Sequence, residues 1–413
     1  MLKVAFLTID NRENFRRYSL PEPYFGTAPQ GLLSGFANLQ DLEVHVLSCT
    51  QQPMSSPTKL ANNIWFHSLH VPKIGWLRTG YAGCILAVRR KLIEIQPDIV
   101  HGQGTERDCA ISAIASPYPK ILTIHGNLRL IKKTIGFRPF SALWLQSFLE
   151  GFVVPRFDGV ICITRHTQQT VAQEAQKTWI VPNAVDPIFL ALGEERLGGS
   201  GNSIVSPAVL SDRLHGADST SLPPAPSNRV PVILVVASIY PLKNQNSFIR
   251  TLDPLATEHR FHLKFFGQCG GDDYGKEFQS LVAHRSWCSF GGMIGRHELR
   301  QEFAMASLLA LPTLEDNCPM VVLEAQAAGI PVMASNVGGI PDLIEDEVTG
   351  LLTDPARPDS MRHAISRLLS DSNLSAALSF NARFQSIKRF HPNVIAQRHL
   401  EIYREVVSCN KVS

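Results

Sequence analysis

The chain has 413 residues, 44% of them hydrophobic and 18% charged, and a formal net charge of +3. That length suggests two or more domains with ample core, and the composition is that of an ordinary globular protein. The small net charge, with no arginine-rich block and no zinc-type Cys/His spacing, argues against nucleic-acid binding.

The first residues, MLKVAFLTID, read as a buried strand. The apolar run is short and ends at Asp10, which makes a poor signal peptide. No uninterrupted apolar run reaches the length a bilayer needs. The eight cysteines are scattered and contain no C-x-x-C pair. In a chain this long, that pattern suits reduced thiols and a cytoplasmic location.

Further strands are predicted at EVHVLSC, DIVHG, KILTIHG, GVICIT and TWIVPN. Several are apolar on both faces, as parallel strands covered by helices must be. Their alternation with helical patterns predicts an α/β doubly wound domain over residues 1–190. Residues 191–229 are rich in Gly, Ser and Pro and predict a linker or mobile insertion.

The pattern then restarts. VPVILVVAS, FHLKFFG, WCSFGGMIG, SLLALPT and IPVMAS read as strands, and the runs between them as helices. This predicts a second α/β domain over residues 230–390. A last helix over about 393–408, after His391-Pro392, is expected to return to the first domain. Two such domains would form a cleft, with ligands at the carboxyl ends of their strands.

One stretch raises a specific question. PTLEDNCPMVVLEAQAAGIPVMASNVGGIP carries Glu324 within a helical run of apolar and small residues. On a helix its neighbours three and four positions away are Met320, Val321, Ala327 and Ala328, none of which can pair with a carboxylate. A buried charge needs a partner, so this acid requires one from elsewhere, either another side chain or a ligand. The helix begins near Pro319, just beyond a strand ending at about Thr313. A helix amino end in that place favours an anion, with Asp316 at its lip. A carboxylate beside such a phosphate site suits a ribose diol, since it can accept two O–H bonds at once.

Asp316 and Glu324, seven residues apart and followed by AQAAGIPVMAS and GGIPDLIEDEVTGLL, resemble the acid motif of the retaining nucleotide-sugar glycosyltransferases of family four. The likeness covers most of the chain and is strongest from Val230 to Thr353. It implies two Rossmann-like domains in the GT-B arrangement. It also implies transfer of a sugar from a nucleotide diphosphate to an acceptor hydroxyl, in polysaccharide or glycoconjugate synthesis.

The resemblance assigns roles. Glu324 would hold the ribose hydroxyls of the donor, and Asp316, an Asp where the family has Glu, would lie near the donor sugar. Glu315 is the alternative register. In VVASIYPLKNQ, Lys243 matches the lysine on the donor diphosphate, and Ser238 stands where the family often has arginine. Arg165 and Arg296 are candidate replacements for that charge. Asn317, Pro319, Met320, Val321 and Met293 complete the implied donor site. In LTIHGNLR, His125 matches a histidine that approaches the donor sugar, and Gly126 follows it.

His101, Gln103 and Glu106, at the end of the preceding strand, are candidates for the acceptor side together with Gly126. FGTAPQG occupies the place of the family's first glycine-rich loop without its paired glycines, and Asn183 reads as a structural turn residue. The implied acceptor is a glycan, a lipid-linked molecule or a small molecule.

No Asp-x-Asp pair is present, since Asp272 and Asp273 are adjacent. No clustered His, Cys and carboxylate set is foreseen either. No cofactor and no metal are therefore expected. The segment LRLIKKTIGFRPFSALWLQSFLEGF, with Arg129, Lys132, Lys133 and Arg138, raises peripheral contact with the inner face of the cell membrane. A helix packed on its own sheet beside a basic loop is the favoured reading. A GT-B epimerase, a glycan phosphorylase and a non-catalytic sugar-nucleotide-binding protein are the rival functions.

Overall fold

The computed structural model describes residues 1–72, 76–126, 128–129, 132, 136, 141–196 and 229–412. Lys133, Arg138 and residues 197–228 of the expected linker lie outside these. The chain divides into two compact units: Met1–Asp186 with Arg389–Ser413, and Pro187–Lys388.

Unit 1 runs β1 (Leu2–Leu7), α1 (Asn11–Asn14), α2 (Thr27–Phe36), β2 (Leu42–Thr50), β3 (Lys59–Ala61), β4 (Ile64–His70), α3 (Ala82–Ile95), β5 (Ile99–Gln103), α4 (Asp108–Ile114), β6 (Lys120–Ile124), α5 (Ala142–Val153), β7 (Gly159–Cys162), α6 (Arg165–Val171) and β8 (Thr178–Ile180). Among the described residues its strands form one sheet in the order β3-β4-β2-β1-β5-β6-β7-β8. Every pairing is parallel except that of the edge strand β3 with β4.

The strand residues explain why helices cover both faces. On β1, Val4 and Phe6 point into one apolar cluster, shared with Leu33 and Phe36 of α2. Ala5 and Leu7 point into another, shared with Val88 and Leu92 of α3. Side chains alternate across a strand, so a strand buried on both faces must be apolar throughout.

Unit 2 runs α7 (Pro187–Arg196), β9 (Val232–Val236), α8 (Gln245–Leu252), α9 (Leu255–Glu258), β10 (His262–Phe266), α10 (Asp273–Ala283), β11 (Cys288–Phe290), α11 (Arg296–Met305), β12 (Leu308–Leu311), α12 (Met320–Ala327), β13 (Val332–Ser335), β14 (Leu351–Thr353), α13 (Pro358–Ser370) and most of α14 (Ser372–Phe390). Its described strands are all parallel, in the order β11-β10-β9-β12-β13-β14. This is the strand order of a doubly wound nucleotide-binding sheet, reversing between β9 and β12.

α15 (Pro392–Val412) belongs to unit 1. It packs on α2 so closely that a Cβ on Gly35 would lie 2.2 Å from the Pro392 carbonyl oxygen.

α7 differs from the sequence reading, which divided these residues between the first domain and the linker. It packs within unit 2 because Phe189, Leu190 and Leu192 are buried. Phe189 meets Phe303 edge-on at 5.0 Å, and Arg196 caps the carbonyls of Phe303 and Ala304.

Candidate active site

The crevice of unit 2 lies where its strand order reverses, at the carboxyl ends of β9 and β12. Beyond β9 the chain makes a short 3-10 turn over Pro241–Lys243 and reverses at Asn244, whose φ of 59° is left-handed. Beyond β12 the segment 312–318 is fastened to that turn. The Leu314 amide donates to the Leu242 carbonyl at 2.7 Å, and Thr313 Oγ1 donates to the same oxygen at 3.0 Å. The two loops are thus one rigid wall.

That wall brings Lys243 Nζ to Asp316 Oδ2 at 2.5 Å, with both side chains more than four-fifths buried. Asp316 is held twice more. Its other carboxylate oxygen accepts from the Asn317 amide at 2.9 Å, and its carbonyl accepts from the Gly339 amide at 3.0 Å. Gly338 must be glycine here: its φ is +56°, and a Cβ would lie 2.0 Å from the Asp316 carbonyl oxygen.

α12 begins at Met320, with Pro319 extended just before it and offering no side-chain cap. Its amino end, with Asn317, Met320 and Val321, follows Asp316 directly. Ser238, in the place of the family arginine, is exposed, and its carbonyl accepts from Gln245 Nε2 at 2.9 Å. Met293 is 56% exposed on the loop before α11.

Glu324 is 2% exposed. Arg296 Nη1, from the first residue of α11, donates to its Oε1 at 2.7 Å. The sequence reading gave the donor as the partner of this acid. The structure shows a protein partner, Arg296, which explains how the charge tolerates burial. It also ties Arg296 to the Glu324 carboxylate rather than to the Lys243 loop.

In unit 1, His125 follows β6 and its Nε2 meets Gln103 Oε1 at 2.7 Å. Burial pushes this imidazole down to about 4, against an opposing hydrogen bond with Asn183, so the ring is neutral near pH 7. Gln103 turns its amide nitrogen to His101 Nε2 at 2.8 Å. His101 also meets Thr123 Oγ1 and the Tyr403 hydroxyl, each at 2.7 Å.

The acceptor-side assignment of His101 and Gln103 is therefore corrected. His101 is 0% exposed and Gln103 4%. They form a buried chain that orients His125 instead of touching a substrate. Glu106 lies against Gly104 and Gly126. Burial and the nearby Glu150 raise its pKa, while its own amide and that of Gly126 oppose the rise.

The basic segment is also clarified. Arg129 Nε bonds to buried Glu150 at 3.1 Å and its Nη1 to Glu174 at 2.6 Å, so this charge is engaged within unit 1. No helix among the described residues is long and apolar enough to cross a membrane.

Asp272 caps α10 by accepting from the Gly275 amide at 3.0 Å. The expectation that no Cys and carboxylate set clusters needs correction. Cys49, Cys84 and Asp108 place their ligand atoms within 4.8 Å of one another, all buried. They come from β2, α3 and α4, which sequence spacing could not bring together. The Cys84 hydrogen bond and burial push the Cys49 thiol well up.

Two family models match this chain, glycosyl transferases group 1 over residues 223–385 and glycosyltransferase family 4 over residues 31–189. Each model covers about two fifths of the chain, and together they identify a glycosyltransferase with the GT-B fold of its structural neighbours.

A D-inositol 3-phosphate glycosyltransferase of Xylanimonas cellulosilytica is 26% identical over 63% of this chain and 70% of its own length. For most of the other curated relatives the matched stretch is under half of their length. A sucrose-phosphate synthase from Thermosynechococcus elongatus superposes with a TM-score of 0.73 at 16% identity, over 99% of this chain and all of that one. Anabaena HepE, solved with UDP and glucose, does so with 0.69 at 18%, over 98% of this chain and all of that one.

Proposed function

We propose that this protein transfers a glycosyl group from a nucleotide diphosphate sugar to an acceptor hydroxyl, with retention at the anomeric carbon. The observation that carries the reading is the Lys243–Asp316 pair at the strand-order reversal of unit 2, followed directly by the amino end of α12. A lysine and a helix amino end suit a leaving diphosphate. Glu324, one turn inside that helix, accepts the ribose hydroxyls while Arg296 holds its other side.

In the reaction the bond from the anomeric carbon to the diphosphate oxygen breaks. The acceptor oxygen bonds to the same face, and its proton passes to an oxygen of the departing phosphate. Asp316 and His125 act on the sugar side, and the neutral imidazole serves as a hydrogen-bonding group, not a cation. The acceptor is a glycan, a lipid-linked molecule or a small molecule of polysaccharide or glycoconjugate synthesis. Eight free cysteines support a reducing, cytoplasmic setting.

HepE was solved with UDP, so uridine nucleotides come first in the test. Thermal shifts over UDP-, GDP- and ADP-sugars should show stabilisation by one of them, since a ligand of the folded state raises stability by mass action. Donor turnover should then follow without added metal and survive EDTA. No stabilisation by any nucleotide sugar overturns the reading. Activity lost to EDTA and restored by magnesium overturns its metal-free form.

A further inference from the structure

Unit 1 brings two histidines together that stand 22 positions apart in the sequence. In the parallel ladder of β2 with β4, His45 lies opposite Trp65, and Leu47 opposite His67. Leu47 and Cys49 point into the cluster shared with α3. Alternate residues of a strand share a face, so His45 lies on the α3 side too.

His45 Nδ1 and His67 Nε2 are 3.0 Å apart. The two ring planes differ by only 9°, with centroids 5.2 Å apart. Ring faces in van der Waals contact lie about 3.5 Å apart, so nitrogens this close mean that the imidazoles meet edge to edge. Each of these nitrogens is aimed at the other ring.

The other nitrogen of His45 decides what Nδ1 can do. His45 Nε2 meets Glu43 Oε1 at 2.9 Å. A carboxylate only accepts, so Nε2 carries the proton of the neutral ring and Nδ1 presents a bare lone pair. A neutral His67 can fill that spot with its Nε2–H. With its proton on Nδ1 instead, it turns a second lone pair to the same point, and only a cation can then sit there.

A carboxylate behind one ring nitrogen, with the opposite nitrogen left bare, is the arrangement that orients metal-binding histidines. Lys3 Nζ, 3.5 Å from the same Glu43 oxygen, holds that carboxylate in turn. Trp65 faces His45 at 5.2 Å and 14°, so the ring is fixed before an ion arrives. Zinc binds imidazole nitrogen at about 2.0–2.1 Å in tetrahedral geometry, which sets two such nitrogens about 3.4 Å apart. The pair needs only a slight opening and tilt of the rings to match it. From α3, Lys91 and Glu94 act on His67 with opposite charges, and they pair with each other.

We propose that His45 Nδ1 and His67 Nε2 are the protein ligands of a divalent transition metal, zinc foremost, with Glu43 as the carboxylate that orients His45. Water completes the coordination. The ion ties β4 to β2. It is separate from any ion that might accompany a donor diphosphate, and the proposal does not depend on the glycosyl-transfer reading.

The test strips the untagged full chain with EDTA, removes the chelator, and titrates with zinc, nickel and magnesium by calorimetry. Zinc and nickel should bind here, since imidazole suits both, while magnesium, which demands oxygen ligands, should not. His45→Gln and His67→Gln should each weaken zinc binding at least tenfold. Glu43→Gln should weaken it by about 10- to 100-fold, the usual cost of losing such a carboxylate. Cys84→Ser should leave it unchanged, which separates this site from the buried Cys49, Cys84 and Asp108 set.

If a histidine variant fails to fold, imidazole nitrogen NMR of the wild-type chain still decides. Zinc should shift His45 Nδ1 and His67 Nε2 and leave His45 Nε2 protonated. Ring nitrogens that do not move across the titration overturn the proposal. So does zinc affinity that persists in the folded histidine variants or disappears in Cys84→Ser. Magnesium binding as tightly as zinc would also overturn it, because the ligands would then be oxygens.

Discussion

Arg296 and Glu324 form an ion pair 2.7 Å long between the first residue of α11 and the middle of α12. The guanidinium also lies 4.8 Å over the ring of Phe189, so α7 helps hold it in place. A carboxylate has about four acceptor sites on its two oxygens, so a ribose diol can share Glu324 with Arg296.

Glu324→Gln should therefore weaken donor binding by roughly 10- to 150-fold, the equivalent of losing a charged hydrogen bond worth about 1.5–3 kcal/mol. Arg296→Met should raise the donor KM more than it lowers kcat, because it disturbs the orientation of the acid proposed to bind the donor before and during reaction. Titration calorimetry with the nucleoside diphosphate checks the first. Wild-type affinity in a folded Glu324→Gln protein would remove the ribose assignment.

Lys243 and Asp316 make the second prediction. Negative charge on the leaving diphosphate grows toward the transition state, so Lys243→Ala should cut turnover more than donor affinity. With Ser238 in the place of an arginine, a loss of at least about tenfold in kcat is expected, about 1.4 kcal/mol. Asp316→Asn and His125→Ala should impair transfer and leave free nucleoside diphosphate binding intact. Steady-state kinetics beside equilibrium binding separates these effects. Turnover of the Lys243 variant within threefold of wild type would assign the charge to another group.

Much of the architecture was legible because fully buried parallel strands announce themselves. Leu308–Leu311 and Val232–Val236 are apolar on both faces and bounded by turns. The missed strands are those that lack this signature. β3 is three residues at an exposed antiparallel edge, β4 is fully buried only at Ile64 and Phe66 and carries His67, Ser68 and His70, and β14 is three residues long.

The site was legible as chemistry and not as geometry. The apolar surroundings of Glu324 showed that it needed a partner, but nothing in the spacing measured α11 against α12, so Arg296 could not be identified as that partner. His101 looked like a strand-end residue open to ligand. Its burial depends on Tyr403, 302 positions away. Arg12 gave no signal at all, since a buried arginine within the polar run DNRENFRR breaks the usual rule of exposure.

That arginine carries the third prediction. Its pair with Asp10 is wholly buried and its remaining donors satisfy loop carbonyls. Removing one partner of such a pair typically costs about 3–5 kcal/mol. Arg12→Met should therefore lower the melting temperature of unit 1 markedly and loosen the segments after β1 and β2, seen as faster amide exchange over residues 13–24 and 51–57. A melting temperature unchanged from wild type would mean that the pair contributes no net stability.

The last prediction concerns acid. Burial holds the imidazoles of His125 and His399 at about 4, and burial together with His45 and Lys91 does the same for His67. All three belong to unit 1. An unfolded histidine titrates near 6.5, so between pH 6.5 and 4 the unfolded chain binds protons that the folded chain refuses. Stability is then fully present above about pH 6.5 and falls as pH drops toward 4. For each of the two deeply buried rings the slope is at most about 1.4 kcal/mol per pH unit; His67, only half buried, contributes less. Chemical denaturation of the full chain from pH 7.5 to 4.5 should show unit 1 losing stability steadily through this window. His399→Gln should flatten the slope by about one proton's worth without touching the donor site. A flat profile in the wild-type protein would show that these rings take up protons in the folded state, and His125 would then be a cation instead of a neutral group.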